Sequence, residues 1–437
     1  MSDSNDNRLN RYRQESSGTG TPGNSGNFAS SFLRRTFVSF KNPVYRLYYL
    51  SMVGHWSSMN MQMMARNLLV YRISDSPAIL GVLALANAIP MILVTLPGGV
   101  IADRIQKKTV IQLGQATSAV ISLAVTITLL LGYLGPEHPE SWWVLVVSGA
   151  LQGAVLGLIM PSRSAIISEI VGPEHLMNAI SLNNLGMNIF RILSPALAGF
   201  LVDIFDFWVV YAFMTVMIVM SFVCILFVPH TSNPAAEGGN SLNDVLEGWR
   251  YIRGEKTILI VLIFTAIATI LGAPYTQLLP IFTEDILKIS ATGLGMLMMV
   301  AGIGAMIGSF ILASLPNRGR GKIMLAYGLI TAVALTGFSF SKSLYLSLFL
   351  SIFIGLGSSG QMALGNSLVQ YYTEAAYRGR VMSFFMLGFG FSSLGAFFAG
   401  ILAEGIGAPL SVGSLAIVLL IFTLAVVVVT PRVRKLD

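Results

Sequence analysis

Twelve apolar runs follow one another along the chain, most of them separated by only a few polar residues. They fall at 46–71, 78–101, 109–133, 142–165, 176–202, 207–229, 257–283, 292–315, 322–341, 343–366, 379–404 and 407–430. Each reaches the length of about 20 residues that a helix needs to cross a bilayer. A helix is the form expected of each, because hydrocarbon offers the backbone no partners and every N–H must be satisfied within its own segment. The longest internal polar stretch, 230–256, separates the sixth run from the seventh. Within it Leu242, Val245, Leu246, Trp249 and Ile252 recur at helical spacing, which predicts a linker with a short amphipathic helix on the membrane surface. Ahead of the first run, 28–45 mixes aromatics with Arg34, Arg35 and Lys41 and reads as an amphipathic surface segment. Residues 1–27, rich in Ser, Asn, Gly and Arg, predict a disordered tail, and 431–437 a short polar one. The expected organisation is thus a six-helix bundle at 46–229, the linker, and a second six-helix bundle at 257–430.

Composition removes the soluble alternatives. Of 437 residues, 54% are hydrophobic and 11% charged, with a mean hydropathy of +0.73; a soluble domain carries about 25% charged residues. The net charge of +7 would suggest nucleic acid in a soluble protein. Here the cations sit in loops and at helix ends, where they set orientation instead, so no nucleic-acid partner is expected. Cys224 stands alone and allows neither an internal disulfide nor a cysteine metal cluster. The histidines at 55, 138, 175 and 230 lack zinc spacing. Gly355-Leu356-Gly357-Ser358-Ser359-Gly360 matches a dinucleotide fingerprint, but it lies inside an apolar run and follows no strand; close helix packing is the better reading. There is no Walker loop, so ATP is not the direct energy source. No enzyme activity, cofactor or metal is expected. The polar start of the chain has no signal-peptide pattern.

An even number of spans puts both termini on one side, and charge says which. One side collects Arg8, Arg11, Arg13, Arg34, Arg35, Lys41, Arg46, Arg104, Lys107, Lys108, Arg163, Arg250, Arg253, Lys256, Arg318, Arg320, Lys322, Arg378, Arg380, Arg432, Arg434 and Lys435. The other holds Asp75, Glu137, Glu140, Asp203, Asp206, Glu284, Asp285 and Glu404, with only Arg66, Arg72, Lys288 and Lys342 as cations. Both termini are therefore expected in the cytoplasm. The halves also echo each other. An offset of 214 carries Leu80-Gly81 onto Leu294-Gly295, and Asp103, Arg104 and Lys108 onto Asn317, Arg318 and Lys322. An offset of 202 carries Gly153, Ser181 and Gly186 onto Gly355, Ser383 and Gly388. The expected fold is an all-α membrane protein of twelve transmembrane helices in two six-helix pseudo-repeat bundles. In transporters built this way the substrate site lies between the halves.

The turn between the second and third spans, Gly98-Gly99-Val100-Ile101-Ala102-Asp103-Arg104-Ile105-Gln106-Lys107-Lys108, resembles the signature loop of the major facilitator superfamily. Lys41-Asn42-Pro43-Val44-Tyr45-Arg46-Leu47-Tyr48-Tyr49 and Pro161-Ser162-Arg163-Ser164-Ala165-Ile166-Ile167-Ser168-Glu169 are similar to stretches of the bacterial enterobactin-exporter and macrolide-efflux group. Arg191-Ile192-Leu193-Ser194-Pro195-Ala196-Leu197-Ala198-Gly199 resembles the antiporter motif of the fifth helix, with Ser194 in place of the usual Gly and with Pro195 and Gly199 kept. The resemblance implies efflux of amphipathic molecules across a bacterial inner membrane, often coupled to protons. It also implies a latch in which Asp103, set by Gly99 and flanked by Arg104, Lys107 and Lys108, meets the start of the eleventh helix near Arg380. Two departures stand against a standard proton scheme. Gly149 occupies the position, three residues before Gln152-Gly153, where many proton-driven exporters carry arginine, and the first span has no carboxylate.

Interior polar residues are costly in a bilayer and mark functional candidates. On the first span His55, Met59, Gln62 and Arg66 share one helical face, and His55 titrates in a useful range. On the fifth, Asn184, Asn188 and Arg191 share another. Gln152, Thr269, Tyr275, Gln277 and Gln361 add polar groups on spans four, seven and ten, the spans that line the cavity in the family the sequence resembles. Each set has an alternative reading as a helix-packing face. The nearest carboxylates, Glu284 and Asp285, sit at the rim; with His55 they are the proton-coupling candidates. A cavity rich in arginine and poor in carboxylates favours substrates that carry an acidic group. The expected function is secondary active export of small amphipathic organics of drug, macrolide or siderophore type, by proton antiport, from a monomer in the lipid bilayer. The alternatives are a facilitative lysolipid or organic-anion transporter without protons, and a membrane sensor or scaffold that has lost transport.

Overall fold

The computed structural model describes residues 37–229, 241–316 and 318–430. Among them the regular elements are all helical: α1 (Pro43–Ser74), α2 (Pro77–Arg104), α3 (Lys107–Leu130), α4 (Trp142–Ile170), α5 (Pro173–Phe205), α6 (Phe207–Leu226), α7 (Ser241–Gly254), α8 (Lys256–Gly272), α9 (Pro274–Ile281), α10 (Ala291–Ser314), α11 (Arg320–Ser339), α12 (Leu344–Tyr372), α13 (Arg378–Ile406) and α14 (Ala408–Val429). The expected tails at 1–27 and 431–437, and 230–240 of the linker, lie outside the described residues. Residues 43–45, expected in the surface segment, open α1 instead, because Pro43 suits a first helical turn and the Asn42 side chain accepts from Val44 N at 2.9 Å and Tyr45 N at 3.3 Å. Just before it, Ser39 is buried and donates to Asn178 Oδ1 of α5 at 2.7 Å.

Among the described residues, eleven spans are long and apolar enough to cross a bilayer. The twelfth is α1. Its 32 residues reach about 48 Å at 1.5 Å per residue, but it carries Ser51, Ser57, Ser58, Gln62, Arg66 and Asn67, all buried inside the protein. Length makes it a span, and protein neighbours replace lipid around its polar groups. The seventh span is one run in the sequence and three pieces in space. α8 ends at Gly272, α9 starts at Pro274, and a π-turn, Phe282–Ile286, closes it. Pro274 and Pro280 each remove a backbone donor, which is why the ladder breaks there.

The sequence echo is a packing echo. Gly153 of α4 lies against the backbone of Asn87 in α2; Gly355 of α12 lies against the backbone of Ala301 in α10. The offsets 202 and 214 relate these two contacts. The same holds where the bundles meet. A Cβ on Gly81 of α2 would stand 2.9 Å from Phe397 Cα of α13, and one on Gly295 of α10 would stand 2.5 Å from Pro195 O of α5. The crossings α2–α13 and α5–α10 are therefore a pseudo-symmetric pair in which backbone touches backbone.

The hydrophobic core is divided unevenly. At the end rich in acidic residues one cluster runs through both bundles, from Met64, Leu68 and Tyr71 of α1 and Val202 of α5 to Leu278, Phe282, Leu294, Phe338 and Val412. At the basic end each bundle has its own: Tyr48, Met52, Ile159 and Ile166 in the first, Ile258, Phe264, Leu364 and Phe385 in the second.

A candidate transport path between the bundles

Polar contacts reinforce the shared core at the acidic end. Asp203, near the end of α5, accepts from Ala291 N at 3.0 Å and Thr292 N at 2.8 Å, the first amides of α10. Glu404, near the end of α13, accepts from Ala78 N at 3.1 Å and Ser76 Oγ at 2.9 Å, at the start of α2. Each carboxylate thus sits on the exposed amides of a helix in the opposite bundle, where the helix dipole favours negative charge. The 214 offset carries Ala78 onto Thr292, and the 202 offset carries Asp203 to Gly405, one residue past Glu404, so the pair follows the internal repeat with a one-residue slip. Around them Arg72 donates to Glu284 Oε1 from Nε at 3.0 Å and Nη2 at 2.8 Å. Tyr71 donates to Asp285 in a short contact. Asn67 and Gln277 exchange amide bonds at 3.2 and 3.3 Å, and Gln277 also reaches Leu80 O at 2.9 Å. Glu284 and Asp285 are therefore engaged in joining the bundles.

The expected stripe on α1 divides along its length. Met59 is 43% exposed and His55 half-buried, whereas Gln62 and Arg66, on the same face further toward the acidic end, are enclosed; Met63, beside the stripe and one residue past Gln62, is 40% exposed. The stripe is open where the two cores are separate and covered where they merge. Arg66 is 8% exposed, and its Nε and Nη1 have no hydrogen-bond partner. Its guanidinium lies against Gly149: a Cβ there would stand 3.1 Å from Nη1. The departure from the fourth-helix motif thus has a steric counterpart, since the space beside residue 149 is filled by an arginine from α1.

The other expected residues separate into groups. Arg191 is exposed and close enough to Tyr275, on the opposite bundle, to act on it electrostatically. Asn184 is exposed, and Asn188 is half-buried and donates back to Asn184 O at 3.0 Å. Tyr275 stands edge-on to Phe338 with centroids 5.9 Å apart. Gln152 donates to Ser118 Oγ of α3 at 3.1 Å, toward its own bundle. Thr269 bonds Thr265 O at 2.8 Å within α8, and Gln361 is buried in α12. Ser194, Pro195 and Gly199 are buried, with Pro195 and Gly199 in the α5–α10 crossing.

At the basic end the side chains of Gly99, Asp103 and Arg104 lie outside the described residues. Lys107 pairs with Glu169 of α4 in a short contact, Lys108 caps α6 through Leu226 O at 2.9 Å, and Arg380 pairs with Glu247 of α7 at 2.6 Å. The amphipathic helix α7 rests on α13: Trp249 stacks toward Phe384, and Tyr251 lies flat on Tyr377 with centroids 4.3 Å apart.

Two residues counted with the basic surface are buried, Lys108 against the end of α6 and, deeper, Arg163. Arg163 is 7% exposed, inside α4 against Met52 of α1. Counting cations near span ends treats every one as solvated; Arg163 is seven residues before the end of α4 and turns inward. The joining roles of Asp203, Glu404, Asn67 and Tyr71 were also missed. The first two carried a signal, as acids at repeat-related ends of spans.

Residues 34–437 match the family described as transmembrane secretion effector. The chain is 21% identical to the staphyloferrin A transporter of Staphylococcus aureus over 82% of its own length and 88% of that protein. It is 24% identical to the enterobactin exporter EntS of Escherichia coli, over 65% and 67%. Its fold is similar to a bacterial homologue of the human lysosomal transporter Spinster, solved inward-facing and unoccupied (TM-score 0.65, 15% identity, 88% and 97% covered). It is also similar to the nucleoside transporter NupG (TM-score 0.69, 14% identity, 87% and 99% covered).

Proposed function

This chain belongs to the transmembrane secretion effector family of major facilitator transporters, and from that premise we propose that it exports small amphipathic organic molecules of siderophore type by alternating access. The observation that carries this reading is the uneven core: one cluster across both bundles at the acidic end, separate clusters at the basic end. With the basic end cytoplasmic, as charge bias favours, this is the arrangement of a transporter ready to load from inside. Substrate would enter along His55, Met59 and Met63 and meet Arg191 on the same bundle and Tyr275 across the gap. The methionines suit varied apolar bodies, because thioethers adapt their shape. The arginines favour an acidic group. His55 is the proton-coupling candidate left on the open face, since Glu284 and Asp285 are engaged at the joined end. The protein would act as a monomer in the inner membrane, with both termini in the cytoplasm.

A second reading, an organic-anion transporter without protons, draws on Arg66 and Arg163, buried with no carboxylate partner among the described residues. One experiment tests both. Purified protein is reconstituted into vesicles containing a pH dye, and a siderophore of the relatives' type is supplied under an imposed proton gradient. Gradient-driven uptake with a change in lumen pH is expected. Uptake with no pH change selects the second reading, and no uptake of any amphipathic anion overturns both.

A further inference from the structure

Arg163 is the buried group that the transport path leaves unexplained. It projects from α4 between α1 and its own helix, 7% exposed, beside the buried side chains of Tyr48 and Met52. Its Nη1 faces the Met52 sulfur at 4.0 Å, a weak acceptor. Its Nε and Nη2 have no partner. Tyr48 does not supply one, because its hydroxyl donates to the Arg163 carbonyl at 3.1 Å. The nearest acid along α4, Glu169, is joined to Lys107 of α3. A guanidinium does not shed its proton, and a buried charge without a counter-ion is strongly disfavoured.

The two free nitrogens are the informative detail. Nε and Nη2 form one edge of the guanidinium, the edge that grips a carboxylate with parallel bonds. Arg72 uses that same edge on Glu284. Arg66 differs, because its free atoms are Nε and Nη1, which do not share an edge. Met52, whose sulfur Arg163 faces, stands three residues before His55 on α1, so the guanidinium lies about one helical turn from the half-buried residue that begins the open stripe of Met59 and Met63. A ligand moving along that stripe from the basic end passes His55 before it reaches the joined core.

We propose that the Nε–Nη2 edge of Arg163, beside His55, is an anion subsite that takes the carboxylate of a transported molecule while its apolar body lies on Met59 and Met63. The proposal rests on the transporter reading and deepens it, assigning the acidic group of the substrate to a residue of α4.

The test uses the full chain in detergent and one probe pair, 2-naphthoate and its methyl ester, which share an apolar body and differ in charge. Binding is followed by quenching of the protein's tryptophan fluorescence. The wild-type chain should prefer the acid by at least tenfold. Arg163→Gln should abolish that preference, and Arg163→Lys should keep part of it, since an ammonium supplies charge without the paired edge. Met52→Glu guards against a variant that merely fails to fold: it places a carboxylate beside the guanidinium, so it should remove the preference while raising the melting temperature. An acid preference that survives either Arg163→Gln or Met52→Glu overturns the subsite. Binding that behaves as expected in a chain that moves nothing in vesicles would instead overturn the transporter reading and leave the subsite standing.

Discussion

The two carboxylates at the acidic end lend themselves to a quantitative test. Asp203→Asn and Glu404→Gln keep size and one acceptor oxygen but remove the charge that holds the opposite helix start. Loss of a helix-start cap costs about 0.5–2 kcal/mol. Both side chains face water, so screening argues for about 1 kcal/mol each. That loss falls on the joined state alone, because each contact crosses between bundles. The fraction open at the acidic end should then rise about fivefold for each single variant, since 1.4 kcal/mol is about tenfold. The two sites share no partner, so the double variant should add to about 2 kcal/mol, or about thirtyfold. The assay is maleimide labelling of a cysteine at Leu294, which is buried in the shared core, in a chain whose Cys224 is replaced by Ser. When opening is fast, the labelling rate follows the open fraction. Asp206→Asn is the control, because Asp206 caps α6 within its own bundle at 2.6 Å; it should leave labelling unchanged. A double variant that labels at the wild-type rate would refute the reasoning. A response to one carboxylate and not the other would refute its symmetry.

Three further outcomes follow from the packing. Gly149→Leu should lower thermal stability by about 1–3 kcal/mol through overpacking, and Arg66→Ala should restore most of the loss by vacating the space beside it; unfolding of both variants in mild detergent checks this. Gly153→Leu and Gly355→Leu, which strike repeat-related backbone contacts, should each cost about 1–3 kcal/mol and rank within a factor of two of each other in the same assay. A double-mutant cycle on Arg72→Gln and Glu284→Gln should give a coupling of only about 0.2–1 kcal/mol, as befits a pair that is about one-third exposed, and a value above about 2 kcal/mol would show the site to be drier than its exposure indicates.

The fold was legible because each span carries its own signature. Hydrocarbon requires an apolar run, so eleven helices follow from length and composition. The first span was legible differently: its polar residues recur at helical spacing, and only a helix wrapped by protein tolerates them. The repeat was legible in a handful of glycines because a glycine that admits another backbone leaves little freedom to change. What escaped was partnership. A polar residue near a span end reads alike whether it faces water or another helix, so Arg163 was grouped with the surface cations while Asp203 and Glu404 were counted only with the acids of the opposite side. The stripe on α1 was assigned one environment, yet a core shared by both bundles at one end only gives Met59 and Arg66 different ones. Periodicity reports which residues share a face; it carries no information about how deep along that face the opposite bundle closes.

The backbone-to-backbone crossings at Gly81 and Gly295 bear on how such a molecule turns. At those two points no side chain stands between the backbones, while further along the same seams Ile92 packs onto Gly390 and Ile192 onto Gly302. In the alternating access proposed above, the bare contacts would act as an axle, and the resistance to motion would gather at those side chains and at the rim, where a few acids must release their grip.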